Sequence, residues 1–200
     1  MIKIGILNYT INSNKVHLRN ILENLNCKVE YVNTFKDIKK YELIFNPGVG
    51  SFSNCINSFK KKDFDKAIQD LNPNKRYLGI CLGFQILFET GNENNIKTSG
   101  LKIIKGHVKK IVGKNPKIGF FKTNIKKNYL FKDIQNFPEF YYLHGYGVKS
   151  DKDDSEFSII KYSNIYYKSC VRYKNYTGVQ FHPEASGKSG LNFLRNFIYE

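Results

Sequence analysis

Residues 79–83 read Gly79-Ile80-Cys81-Leu82-Gly83 and follow the short approach Arg76-Tyr77-Leu78. This is a G-x-C-x-G elbow, the cysteine counterpart of the G-x-S-x-G turn that lifts a nucleophile above a sheet. The flanking glycines leave room for a strand to end abruptly, with the nucleophile in a strained backbone conformation. A helix over 82–89 should follow at once, setting its positive end beneath the sulfur and favouring thiolate. A thiolate nucleophile also needs a base. Phe181-His182-Pro183-Glu184 offers an imidazole with a carboxylate two residues beyond it, a base and its orienting group. A glycine turn, Pro47-Gly48-Val49-Gly50, could bring backbone N–H groups to the oxyanion of a tetrahedral intermediate. Alone, Cys81 could be an inert buried thiol, and the glycine motif a plain tight turn. In one sheet the three segments predict a cysteine-nucleophile enzyme. His17, His107 and His144 have no such setting and are not taken as bases.

An open parallel sheet would position these groups. Residues 2–7 form an apolar run that reads as a buried strand, and Leu18, Ile21, Leu22 and Leu25 recur at helical spacing. Residues 29–32 and 42–45 read as further strands, and this strand–helix–strand rhythm predicts parallel pairing with helices on the faces. The glycine turn would then lie at the carboxyl end of a strand, where such sheets bind ligands. A helix is expected over 53–71, a strand over 77–80 and a polar loop over 91–99. Short strands are expected over 101–104, 107–111, 118–123, 140–148, 157–161, 166–173 and 178–181, followed by a closing helix over 186–198.

At 200 residues, 41% hydrophobic and 15% aromatic, the chain has the length of one domain and too much apolar content for disorder. No stretch has the length of a membrane span, and the cytoplasm is the expected location. Cys27, Cys55, Cys81 and Cys170 include no C-x-x-C pair, which argues against a zinc site or a disulfide framework. The net charge of +15 would suit a polyanion-binding protein with a structural Cys81. Its lysines are scattered and no nucleic-acid motif accompanies them, which favours an ordinary solvated surface with nucleic acid unlikely as a partner.

In this order, Pro47-Gly48-Val49-Gly50, the 79–83 elbow and Gly178-Val179-Gln180-Phe181-His182-Pro183-Glu184 resemble the class I glutamine amidotransferases. Gln85, Phe88-Glu89, Gly100-Leu101, Tyr142-Leu143-His144-Gly145-Tyr146, Ser186-Gly187 and Leu194-Arg195-Asn196-Phe197 extend the likeness over essentially the whole chain. They are similar to the glutaminase subunits of imidazole glycerol phosphate synthases. The resemblance implies an α/β fold of flavodoxin-like type, with helices on both faces of a three-layer, open, mostly parallel sheet. An additional antiparallel β portion would lie in the C-terminal half, and residues 1–200 would be one domain.

The implied reaction is hydrolysis of L-glutamine to glutamate and ammonia through a thioester on Cys81. His182 would serve as base and acid and Glu184 would orient it. Gly48, Val49, Gly50 and Leu82 would hold the oxyanion, and Gln85, Gly145 and Tyr146 would contact glutamine. No cofactor or metal is implied. The implied partner is a (β/α)8 barrel synthase subunit, which would use the ammonia for imidazole ring formation in histidine biosynthesis. The loop 8–14 lacks the family's usual glycines, and Ala185 stands where a lysine is common. A paralogue supplying ammonia to an amidino-sugar pathway would share these features.

Overall fold

The computed structural model describes residues 1–9 and 14–200. The first loop, with its missing glycines, lies largely outside the described residues.

The main sheet is built from β1 (Lys3–Leu7), β2 (Lys28–Val32), β3 (Leu43–Gly48), β4 (Arg76–Cys81) and β14 (Tyr176–Val179), all parallel. It continues through β13 (Ile165–Tyr173), β12 (Glu156–Tyr162) and β9 (Asn124–Ile125), which pair antiparallel, in the order β2-β1-β3-β4-β14-β13-β12-β9. Part of the expected antiparallel portion thus extends the parallel sheet and shares its core.

Alternation along β3 explains the layers. Leu43 and Phe45 point into a cluster with Leu18 and Leu22 of α1 (Asn14–Asn24) and with Phe193, Leu194 and Phe197 of α5 (Gly187–Ile198). Ile44 points the other way, to Cys55, Ile56 and Phe59 of α2 (Phe52–Lys61) and to Phe64 and Ile68 of α3 (Phe64–Gln69). A strand apolar on both faces is what a covered parallel sheet requires. Among the described residues, no helix is long and apolar enough to cross a membrane.

Several expectations need correction. The helix expected over 53–71 is two helices, broken at Asp63, which has φ of 55°. Phe59 and Phe64 are five positions apart and would face apart on one continuous helix; the break lets both reach the core, with ring centroids 5.7 Å apart. The helix expected over 82–89 is a single turn, α4 (Leu82–Gln85). Beyond it the carbonyls of Ile86, Leu87 and Phe88 accept N–H groups of Leu101, Lys102, Ile103 and Ile104. These bonds draw the chain out of helix, and they replace the strand expected over 101–104. The expected polar loop over 91–99 belongs mostly to a hairpin, β5 (Phe88–Glu93) with β6 (Ile96–Ser99). Asn94 and Asn95, at φ of 50° and 63°, form its left-handed turn.

β5 also pairs with β7 (Ile104–Lys110), completing a small sheet with β11 (Tyr146–Gly147). The strand expected over 140–148 divides at Gly145 into β10 (Glu139–His144) and β11, and β10 pairs with β8 (Lys117–Lys122).

Candidate functional site

β3, β4 and β14 end side by side. Gly48 is the register partner of Cys81, and Val179 that of Ile80, so the glycine turn and the segment reaching His182 both leave the sheet beside the elbow. Cys81 has φ of 54° and ψ of −104°, a conformation that costs on the order of 1–3 kcal/mol and is held by its surroundings. The elbow glycines are required by close approach. A Cβ on Gly83 would lie 1.9 Å from the Asn46 carbonyl oxygen, and one on Gly79 would lie 2.4 Å from the Gly83 carbonyl oxygen.

His182 is anchored by its backbone. Its N–H donates to the Tyr141 carbonyl at 2.8 Å, and its carbonyl accepts the Ser186 hydroxyl at 2.6 Å. Ser186 Oγ in turn accepts the Tyr141 N–H at 2.9 Å, fastening the segment to β10. A 3-10 turn over Pro183–Ala185 folds the Glu184 carboxylate back onto the imidazole, with Nδ1 2.8 Å from Oε1. Burial alone would disfavour the imidazolium. Charge and hydrogen bonding from Cys81, then from Glu184, outweigh it and push His182 up to about 11. Nδ1 faces Glu184, so the hydrogen bond with Cys81 falls to Nε2. All three side chains are buried.

A cavity of about 460 Å³ opens above Cys81. Val49, Gly50, Leu82, Gln85, Gly145 and Tyr146, the residues that the resemblance offered as oxyanion and substrate groups, line it. Gly48 packs against Leu82 and Gly83 of the elbow, and it, His182 and Glu184 lie outside the lining. The single-turn α4 removes most of the expected helix dipole, since a macrodipole needs aligned peptides over several turns. One side-chain donor faces the sulfur directly. Gln180 Nε2 lies 3.6 Å from Cys81 Sγ, and Gln85 Nε2 reaches both Gln180 Oε1 at 2.9 Å and the Tyr146 carbonyl at 2.7 Å.

Sequence reasoning missed Glu93, Lys110 and Asn115 in the cavity wall. Glu93 Oε2 accepts the Phe52 N–H at 2.7 Å; its place becomes visible only once 91–99 is known to be largely hairpin. Gln180 stood inside the quoted His182 motif, yet nothing local shows its side chain turned toward Cys81. His144 also lines the cavity, but burial pushes it down to about 4, so its ring is neutral. Its Nδ1 is 2.8 Å from the Tyr146 carbonyl, a structural bond.

Among the described residues, one acidic group has the spacing of metal ligands, Asp151, Asp153 and Glu156. The buried Lys168 ammonium sits among them, 2.9 Å from Asp153 and 2.8 Å from Glu156, and supplies the compensating charge.

The family model for glutamine amidotransferase class-I matches residues 7–200. The imidazole glycerol phosphate synthase subunit HisH of Leptospira borgpetersenii is 35% identical, covering 97% of this chain and 98% of that protein. The subunit of the same name from Pyrococcus furiosus is 40% identical, covering 80% of this chain and 83% of that protein. Among solved structures, PurLQS from Thermotoga maritima superposes with a TM-score of 0.70 at 17% identity, over 99% of this chain and 98% of that one. A glutamine amidotransferase structure superposes with a TM-score of 0.74 at 12% identity, over 97% and 98%. These two likenesses concern the fold.

Proposed function

The chain belongs to the class-I glutamine amidotransferase family, and from that membership we propose that it hydrolyses L-glutamine at Cys81 as the ammonia-producing subunit of an imidazole glycerol phosphate synthase. The observation that carries the reading is the His182–Glu184 contact of 2.8 Å, set behind a strained Cys81 at the floor of the cavity. Residues 1–200 act as one amidotransferase domain, in the cytoplasm.

Cys81 thiolate attacks the side-chain carboxamide carbon of glutamine. Backbone N–H groups of the 48–50 turn and of Leu82 receive the developing oxyanion. His182 protonates the departing nitrogen, and ammonia leaves behind a γ-glutamyl thioester. His182 then takes a proton from water, which attacks the thioester and releases glutamate and the thiol. Glu184 holds the ring in the tautomer that both steps need. Gln85, Gly145 and Tyr146 shape the wall around the amino-acid end of the substrate. Glu93 and Lys110 supply the opposite charges that a zwitterion can use.

The ammonia passes to a (β/α)8 barrel partner that forms the imidazole ring in histidine biosynthesis. Supporting a docked partner is an outward strip of β8 and β10, where Ile118 and Phe120 are each 57% exposed and Leu143 is 43% exposed. Ile118 pairs with Leu143 and Phe120 with Tyr141, forming a continuous apolar face that runs to the cavity mouth at Leu143.

The test is glutamate release by the partner-bound enzyme. Cys81→Ala should lower kcat by about 10⁴-fold or more, while glutamine analogues carrying an electrophile label Cys81 and spare Cys27, Cys55 and Cys170. Retained hydrolysis in Cys81→Ala would sink the assignment.

A further inference from the structure

An amide side chain presents a nearly symmetric outline, and only its partners decide which end is oxygen. Here the partners form a chain of constraint that starts at a group with one possible role. The Tyr146 carbonyl can only accept, so the end of Gln85 lying 2.7 Å from it must be the NH₂ group. That same nitrogen lies 2.9 Å from Gln180, so the Gln180 atom facing it must be the oxygen. The remaining end of Gln180 is therefore its NH₂, and it lies 3.6 Å from Cys81 Sγ. Gln180 is 1% exposed and Gln85 is 5% exposed, so the bond between the two amides is buried. The backbone is set as firmly, because the Gln180 N–H donates to the Ser169 carbonyl at 2.8 Å on β13.

We propose that Gln180 is a catalytic residue whose side-chain N–H stabilises the Cys81 thiolate, held in the donating orientation by Gln85. The proposal rests on Cys81 being the nucleophile, as argued above. A donor aimed at sulfur favours the anion, because hydrogen bonds to an ionised acceptor are about twice as strong as those between neutral groups. The neutral thiol has a competing arrangement, with Sγ 3.7 Å from the Leu143 carbonyl, an acceptor that only S–H can use. Gln180 and Leu143 thus stand on the sulfur as donor and acceptor, one suited to each protonation state. The relay also joins the nucleophile to the substrate wall. Gln85 spans from Tyr146 to Gln180, so a displacement of Tyr146 on substrate entry is transmitted to the group that faces the sulfur.

The experiment compares the full-length chain with Gln180→Met, which removes the donor, and Gln180→Glu, which keeps the shape but sets an acceptor oxygen against sulfur. Alkylation of Cys81 by iodoacetamide at pH 7 is followed by peptide mass spectrometry, without glutamine or partner. Steady-state glutaminase kinetics are then measured with partner present. Gln180→Met should slow alkylation and lower kcat by about tenfold, with KM within about twofold of wild type. Gln180→Glu should be slower still, although it fits the site better.

Wild-type alkylation in either folded variant overturns the proposal. So does a Gln180→Glu protein that outperforms Gln180→Met, because shape alone would then account for the residue. Should Gln180→Met fail to fold, the near-isosteric Gln180→Glu decides alone. Retained hydrolysis in Cys81→Ala would overturn the nucleophile assignment instead, so the two failures can be told apart.

Discussion

Gly48 and Cys81 are register partners across the parallel pair β3–β4. The turn that offers backbone N–H groups and the elbow that offers sulfur therefore leave the sheet at one level. The two ends are locked together below that level, since Gly83 sits against the Asn46 carbonyl with no room for a Cβ. Strain at Cys81 is affordable only because this packing leaves the elbow no alternative path.

Gly83→Ala should therefore destabilise the fold by about 1–3 kcal/mol through overpacking, and should abolish glutaminase activity. Gly50→Ala is the informative contrast. Gly50 has open space around it but φ of 107°, so its cost is backbone strain of about 1 kcal/mol. Its main effect should be on kcat, through the oxyanion turn. Urea unfolding midpoints and kcat for the two variants check this, and an unchanged kcat in folded Gly50→Ala would contradict it.

The imidazolium of His182 is opposed by burial and upheld first by Cys81, then by Glu184. In Cys81→Ala its titration midpoint should fall well below about 11, a change that NMR of the ring can follow. A folded-state value raised above the ordinary 6.5 means that the folded protein holds the proton more tightly than the unfolded chain. The stability due to protonated His182 is thus fully present below about pH 6.5 and is lost as pH rises towards about 11. The stability gap between wild type and His182→Gln should shrink from pH 6.5 to pH 10. A gap that widens over that range would refute the assignment.

Phe120→Glu should weaken binding of the proposed barrel partner by about 30-fold or more, as expected when a charge replaces an aromatic anchor. Hydrolysis by the free chain should be unaffected, since Phe120 lies outside the cavity lining. Titration calorimetry with purified partner measures the first effect. Unchanged affinity would move the docking face away from β8 and β10.

What could be read from sequence was local chemistry. The elbow's glycines, the spacing of two between His182 and Glu184, and the apolar runs of β1, β3 and β4 each state a requirement met within a few residues. The family resemblance then supplied the order of the parts. Charge was the least informative signal, because +15 spread over the chain names no surface.

Tertiary structure decided what depends on contacts between distant segments. Residues 86–88 carry helix-compatible side chains, yet their carbonyls are claimed by N–H groups from 101–104, a competition that no local pattern displays. Glu93 reaches the cavity because Asn94 and Asn95 reverse the chain. Gln180 faces sulfur because Tyr146, 34 residues away in sequence, forces the orientation of Gln85 between them. By itself the sequence determined which side chains are equipped to attack and to shuttle protons, since that capacity follows from side-chain chemistry. Only the folded chain decided which amide end, which carboxylate and which apolar face meet them, because orientation is set by partners from elsewhere in the sequence.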